Sequence, residues 1–416
     1  MRNRLHRYRL AIAGAAALGV AACVSLSSPR GGGGGGNIPV VRGPYKSGAN
    51  QLVRIGLATS GQSRIGATSD WAIFQPDGKT QIARYAAGES DSVFARTPDP
   101  LVIRALTADG FVTWNSKRYR GELLVALSDS GLVVINRLPM DSYLRGVVPL
   151  EIGNRTAAEM AAVEAQAVAA RTYAYKHLTS TRAFDMYATV QDQVYGGVDA
   201  EKPQADTAIM KTADVVVLYN GQPITTPYHS TCGGSTSAVS EVWYDQPDEP
   251  YLRPVSDRVP GTDRFYCDAS PRFSWTQSYD AAGLRAVMEK YLASYTNAPK
   301  SNLGRIVDIS EQGRTPSGRV RALTVQTESG TYTLKGNDIR FVLRDPKGAI
   351  LNSTFFSSRE AKANGEVSSF VVEGRGYGHG IGMCQWGAIG RARAGQDFRT
   401  ILETYYPGTT IGRIAG

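Results

Sequence analysis

The sequence predicts an α+β protein: a β-rich main domain holding one long Ala-rich helix, with a smaller α/β subdomain inserted towards its C-terminal side. Three observations carry this. Short apolar runs separated by turn residues fill the first part of the chain, one capped Ala-rich segment follows, and an amphipathic stretch with its own strands comes after residue 270. The 45 Gly and 20 Pro among 416 residues fit many turns. A hydrophobic content of 42% with 20% charged residues excludes both a disordered polyampholyte and a membrane bundle.

Taken in order, the chain starts with Arg2, Arg4, Arg7 and Arg9 and no acid, followed by the apolar stretch Leu10 to Ala22. Thirteen residues are too few to span a bilayer, so residues 1–22 read as an export signal of lipoprotein type. Val20-Ala21-Ala22-Cys23 resembles a bacterial lipobox, which makes Cys23 the expected lipidation site; an ordinary cleavage site beside an incidental Cys is the alternative. Residues 23–49, with Gly31 to Gly36, read as a flexible linker. Removing the leader lowers the net charge from +9 to +5. The remaining Lys and Arg are scattered among acids, and no finger, basic-zipper or Walker pattern occurs, so nucleic acid is not an expected partner.

The folded part is expected over 50–416. Leu52 to Ala58, Trp71 to Phe74, Leu101 to Leu106, Leu123 to Leu127 and Leu132 to Ile135 read as strands, the last two as a hairpin around Ser128-Asp129-Ser130-Gly131; the β-rich half runs to Val148. Thr156 and Glu159 form a capping box that opens the long helix, expected to end near Leu178. A helix around Asp206 to Thr212, a strand over Val215 to Tyr219, and a helix through Leu284, Met288 and Tyr295 come next. Strands at Arg305 to Ser310, Arg319 to Thr327 and Thr331 to Leu334 follow, and about 270–345 reads as the inserted subdomain. Phe398, Ile401, Leu402 and Tyr405 make a last helix after Asp397.

Three stretches carry candidate chemistry. From Gly374 to Met383, Gly stands at every second position, which in a strand leaves one bare face for a ligand or another backbone and sets Arg375, Tyr377, His379, Ile381 and Met383 on the other; tight packing without a ligand is the alternative. His229-Ser230-Thr231-Cys232-Gly233-Gly234 is the second. The third is Arg145 to Glu151, where an acid between a β-like run and a helix can be partly buried and so raised towards the range of a general acid.

Leu138 to Val148, Glu151, Ala165 to Ala174, Gln193-Val194-Tyr195-Gly196-Gly197, His229 to Gly234 and Gly374 to Ala388, in that order, resemble the stage II sporulation protein D family, whose related members are named amidase enhancers. The resemblance implies an envelope protein acting on peptidoglycan glycan strands, as a lytic transglycosylase that cuts between N-acetylmuramic acid and N-acetylglucosamine and leaves a 1,6-anhydro end. The catalytic acid of the family falls on Glu151 and its helix Arg on Arg171, which is expected to support the acid or the substrate. Gln166, Tyr195, His229, Tyr377, His379 and Gln385 join Arg171 as expected substrate contacts. One carboxyl group suffices, because the sugar's own C6 hydroxyl supplies the nucleophile and no cofactor is called for. Further expected partners are a membrane, through the N-terminal lipid, and a cell-wall amidase. The expected location is the cell envelope, on the periplasmic side of the outer membrane if the host has two membranes.

Three departures from the family stand out. Glu151-Ile152-Gly153 replaces the usual Glu-Met-Pro, Glu164 stands where many members have Lys, and Val190-Gln191-Asp192 lacks the Cys and His-Cys of zinc-binding members. Among the other cysteines, Cys232 with Cys267 is the candidate disulfide, leaving Cys384 free; a zinc site from His229, Cys232, Cys267 and Cys384 is the alternative. His379 is either a substrate contact or a structural histidine. The rival to an enzyme is a non-catalytic glycan-binding protein that recruits or activates a cell-wall amidase.

Overall fold

The computed structural model describes residues 38–41, 44–60, 62–94, 100–128 and 131–415. The signal peptide, Cys23, the Gly run of the linker and the Asp129-Ser130 turn lie outside them. The α+β class holds: seven α-helices and several sheets occur among the described residues. None of these helices is long and apolar enough to cross a membrane.

The largest sheet has the strand order Met186–Tyr187, Leu52–Ser60, Gly131–Pro139, Glu122–Ser128, Leu101–Ala105, Trp71–Phe74 and Gln81–Tyr85. The expected hairpin is there, antiparallel, with Leu123 opposite Asn136 and Leu127 opposite Leu132. The β-rich half nevertheless stops at Pro139, short of Val148. Met140–Ile152 is a helix (α1), which buries Met140, Tyr143, Leu144, Val147 and Val148, a spacing of three and four that lays them on one face.

Glu159 accepts the backbone N–H of Thr156 at 2.9 Å, as the capping box requires, and after one 3₁₀ turn the long helix runs over Met160–His177 (α2). Its residues from Ala162 to Thr172 are all buried, Glu164, Gln166 and Arg171 among them. Alanine makes this possible, because a helix with little side-chain bulk can be approached from every side. Four further helices touch it or its neighbours in the main body: α1, then Pro203–Lys211 (α3), and, after Ala281–Tyr291 (α4) and Asp338–Val342 (α5) elsewhere, Gln385–Arg393 (α6) and Phe398–Tyr405 (α7). The strand Val215–Tyr219 also packs on α2 and pairs with Thr410–Ile414.

A second hydrophobic cluster gathers α4, α5, the three-stranded sheet Ile306–Glu311, Ala322–Thr327, Gly330–Lys335, and the sheet Ser274–Asp280, Glu366–Arg375, Phe356–Ala363. Leu284, Met288, Leu323, Val325 and Phe370 are fully buried in it. This cluster runs from Tyr279 to Val372, beyond the stretch of about 270–345, because Ser369 to Arg375 pair with Ser274–Asp280, and residues 38–416 form one compact unit.

The Gly-alternating stretch departs from expectation. The strand ends at Arg375, and Gly376, Gly378, Gly380 and Gly382 all adopt positive φ, from 71° to 116°, so residues 376–382 form a winding loop rather than a ribbon with two faces. Glycine is needed there for space as well: a Cβ on Gly378 would lie 2.8 Å from the Cβ of His229, and one on Gly382 would lie 2.1 Å from the carbonyl oxygen of Pro227. The close approach is to the backbone of residues 227–232, one of the two occupants the bare glycines allowed.

Candidate active site

Glu151 sits in the last turn of α1, not in a strand-to-helix loop. Gly153 follows the helix with φ +73°, and its N–H returns to the Pro149 carbonyl at 3.0 Å, an exit that proline, locked near −65°, could not make. The Gly at the third position of Glu-Ile-Gly thus belongs to a distinct way of ending the helix, with the acid still presented at its tip.

The Glu151 side chain is half-buried. Burial raises its pKa above the ordinary carboxyl value, while donors from the Val194 N–H, the Tyr228 hydroxyl and the Gln385 amide pull it partly back. The Val194 N–H reaches Oε1 at 2.9 Å. All three partners are neutral. Behind them runs a directed relay: the Tyr143 hydroxyl donates to Gln193 Oε1 at 2.9 Å, Gln193 Nε2 donates to the Tyr228 oxygen at 3.0 Å, and the Tyr228 proton is left for Glu151. Burial pushes the phenols of Tyr143 and Tyr228 well above their usual values, so both stay protonated donors.

A short parallel pairing sets Tyr228 opposite Met383 and His229 opposite Cys384. Gln385 then opens α6 and donates to Gln166 Oε1 at 3.2 Å; Gln166, fully buried on α2, keeps its own Nε2 without a hydrogen-bond partner. Thus four segments far apart in sequence, α1, the Gln193-Val194 turn, Tyr228 and the start of α6, converge on one carboxyl group.

Of the expected site residues, Glu151, Gln166 and Gln385 come together, and Tyr377 and His379 lie half-buried on the loop nearby. Arg171 does not join them. It is fully buried on α2, bonded to the Ile209 and Val215 carbonyls and to Thr212, with Asp141 at 3.7 Å, so it ties α1 to α3 and cannot meet a substrate. Tyr195 is also corrected: its ring packs on Tyr143 and its hydroxyl donates to Asn136 at 2.7 Å, inside the core. His379 has both ring nitrogens engaged within the fold: its Nδ1 accepts the Ile381 N–H at 3.1 Å and its Nε2 donates to the Tyr228 carbonyl at 2.9 Å, while burial and the neighbouring His229 push its pKa well below the ordinary histidine value. It thereby fixes the backbone that bears the Tyr228 phenol. His229 is buried and faces the cysteines, with Nδ1 on the Ile381 carbonyl. Glu164 is paired with Lys211 at 2.7 Å, so the lost cation is answered within the fold.

The expected Cys232–Cys267 disulfide is not formed. Cys232, Cys267 and Cys384 are all free and buried, with the Cys232 and Cys267 sulfurs 3.5 Å apart, and Asp257 enters the same pocket. Sequence reasoning missed Tyr143, Gln193 and Tyr228 as site residues. All three flank or lie within the motifs, and their burial as polar groups is what a sequence does not display.

The chain is similar to several known proteins. A model described as stage II sporulation protein matches residues 128–219, which hold α1, α2 and the Gln193 turn, and a domain of unknown function matches 261–382. An uncharacterized protein of Brachyspira hyodysenteriae is 32% identical over 308 residues, 73% of this chain and 75% of the relative. The chain belongs to the stage II sporulation protein D family. The Bacillus subtilis stage II sporulation protein D is 29% identical over 67% of this chain and 75% of its own length. The Bacillus subtilis amidase enhancer is 33% identical over 64% of the chain, which spans only 40% of that relative. Within the stage II sporulation protein D family, then, this chain combines the Glu151 cluster with a thiol set in the adjoining loop.

Proposed function

We propose that this protein is an envelope enzyme that cleaves peptidoglycan glycan strands as a lytic transglycosylase, with Glu151 as its single general acid and base. Family membership supports a function in cell-wall processing. The observation that carries the finer reading is the environment of Glu151: a half-buried carboxyl with a raised pKa, held only by neutral donors.

Such a group suits both halves of the reaction. Protonated, it donates to the glycosidic oxygen as the bond to C1 of the muramic acid breaks and positive charge develops on the sugar. The carboxylate that results is stabilised by Val194, Tyr228 and Gln385, then takes the proton of the C6 hydroxyl as that oxygen closes onto C1. One bond breaks, one forms, and the proton passes from one oxygen to the other through Glu151, so no second carboxylate is needed. Beside the acid, the half-buried Trp386 ring lies 5.2 Å from the Arg155 guanidinium. An indole face suits the apolar side of a sugar ring, and the cation suits the lactyl carboxylate of muramic acid. Export and anchoring by an acylated Cys23 would put the site within reach of the wall.

Digestion of peptide-stripped glycan strands by the wild type and by Glu151→Gln, followed by mass spectrometry for anhydro ends, tests the reading. The wild type is expected to release them and the variant to lose about two to four powers of ten in rate. The relation to the amidase enhancer supports a second reading, a glycan-binding protein that recruits or activates a cell-wall amidase. Equal glycan binding by both proteins with cleavage by neither selects it.

A further inference from the structure

We infer that Cys232, Cys267, Cys384 and Asp257 form a structural metal site, with zinc as the ion their chemistry favours. The four side chains are fully buried, and their ligand atoms all lie within 4.8 Å of one another. Cys232 Sγ is 3.5 Å from Cys267 Sγ and 3.6 Å from Asp257 Oδ2. A tetrahedral zinc with metal–sulfur bonds of about 2.3 Å holds its sulfurs about 3.8 Å apart, so the set needs only small shifts to close on an ion. Three soft thiolates and one carboxylate select zinc over hard cations such as calcium or magnesium. The ligand set differs from the one expected from sequence: Asp257 takes the fourth place, and His229, whose Nε2 has no hydrogen-bond partner, stands beside it.

The surroundings are arranged for anionic ligands. Backbone N–H groups point at sulfur, from Cys232 and Gly387 to Cys384 Sγ at 3.2 Å each and from Gly234 to Cys232 Sγ at 3.4 Å. Cys384 is also the N-cap of α6, where the helix dipole favours negative charge. Asp257 is oriented by its other oxygen: Oδ1 accepts the Tyr405 hydroxyl at 2.6 Å and an Arg391 N–H at 3.4 Å, which leaves Oδ2 turned to the thiols, the kind of outer contact that steers metal-ligating carboxylates. Four anionic ligands around a dication leave two negative charges in the core. Arg391 and the fully buried Arg319, whose Nη2 donates to the Cys232 carbonyl while Nη1 lacks a partner, supply the balancing cations.

The ligands come from three separate segments: the loop after Tyr228, the hairpin holding residues 257–267, and the start of α6. A metal would thus join three segments far apart in sequence, which is the usual service of a closed, four-coordinate site.

The test is elemental analysis of the full chain purified without chelator, with a parallel sample reduced, stripped and given zinc or cobalt(II). About one zinc per chain is expected, together with thiols that resist alkylation until chelator is added, and thiolate-to-metal charge-transfer absorption in the cobalt form. Cys267→Ser and Cys384→Ser should abolish stoichiometric retention, and Asp257→Asn should weaken affinity about tenfold or more. Wild-type protein that neither contains nor takes up metal overturns the inference, as does an intact mass two hydrogens low with Cys232 and Cys267 linked. Retention of metal by the folded Cys384→Ser protein overturns the ligand set. The cobalt spectrum is read on the wild type, so it decides the matter even if the variants fail to fold.

Discussion

The two largest hydrophobic clusters among the described residues differ in what accompanies their apolar side chains. Around α2 the interior is threaded with polar groups, most of them bonded within the fold: Arg171 on the Ile209 and Val215 carbonyls, Glu164 on Lys211, Gln193 between two phenols. The second cluster, from Tyr279 to Val372, has the fully buried Leu284, Met288, Leu334, Phe370 and Val372, with the buried Arg340 of α5 bonded to the Leu351 carbonyl and to Asn337. Hydrogen-bonded polar groups restrict the residue types each position tolerates around α2, whereas most positions of the second cluster ask for apolar volume in the right pattern. Motifs therefore crowd the first region, and the second is recognised by periodicity.

The contrast can be broken by substitution. The largest effect is expected at Glu151, where Gln keeps shape and hydrogen bonding but removes the mobile proton: turnover should fall by about 3–5 kcal/mol of transition-state stabilisation, with glycan binding and thermal unfolding unchanged. Retained anhydro product would sink the assignment. In the second cluster, Phe370→Ala should cost about 3–5 kcal/mol of stability in denaturant unfolding and leave the pH dependence of turnover where it was. A shifted pH profile there would mean the two clusters are not separate in function.

Arg171→Met should destabilise by about 3 kcal/mol, since it strips charge from beside Asp141 and leaves two buried carbonyls unmatched. The folded fraction should turn over normally; a selective loss of kcat at full stability would return Arg171 to the substrate. The smallest effect concerns Tyr228→Phe. Activity needs protonated Glu151, so it falls as pH rises through the raised pKa of that group. The Tyr228 donor lowers that pKa, and its removal should raise it further, moving the alkaline limb of the pH–rate profile to higher pH. A limb that stays or moves down would exclude the phenol as a donor to the acid.

Much of this was legible in the sequence, for reasons that differ by element. The capping box at Thr156 and the alanines behind it announced α2, and the alternation of Leu123, Val125 and Leu127 announced a hairpin, because both depend on local chemistry. α1 was misread as β because Val147-Val148 and Leu144 suit either state; the spacing of Met140, Tyr143, Leu144, Val147 and Val148 was the signal that separates them. The glycines of 374–382 promised a close approach, which occurs, but positive φ is invisible in a list of residue names, so the expected ribbon is a loop. Glu151 and Gln385 stand in separate motifs, and the fold brings their side chains together. Arg171 and Tyr195 were assigned to the substrate on the same warrant and turned out to be buried, since a motif marks a constrained residue without saying whether a ligand or the fold constrains it.

The short pairing of Tyr228-His229 with Met383-Cys384 is followed directly by Gln385. Neighbouring residues on an extended chain look opposite ways, so Tyr228 and Gln385 serve the acid while His229 and Cys384 look into the sulfur pocket behind it. The two environments are therefore the obverse and reverse of one thin partition. Any rearrangement of the sulfur pocket is therefore transmitted to two hydrogen-bond partners of Glu151 across single peptide links, Tyr228 to His229 and Cys384 to Gln385.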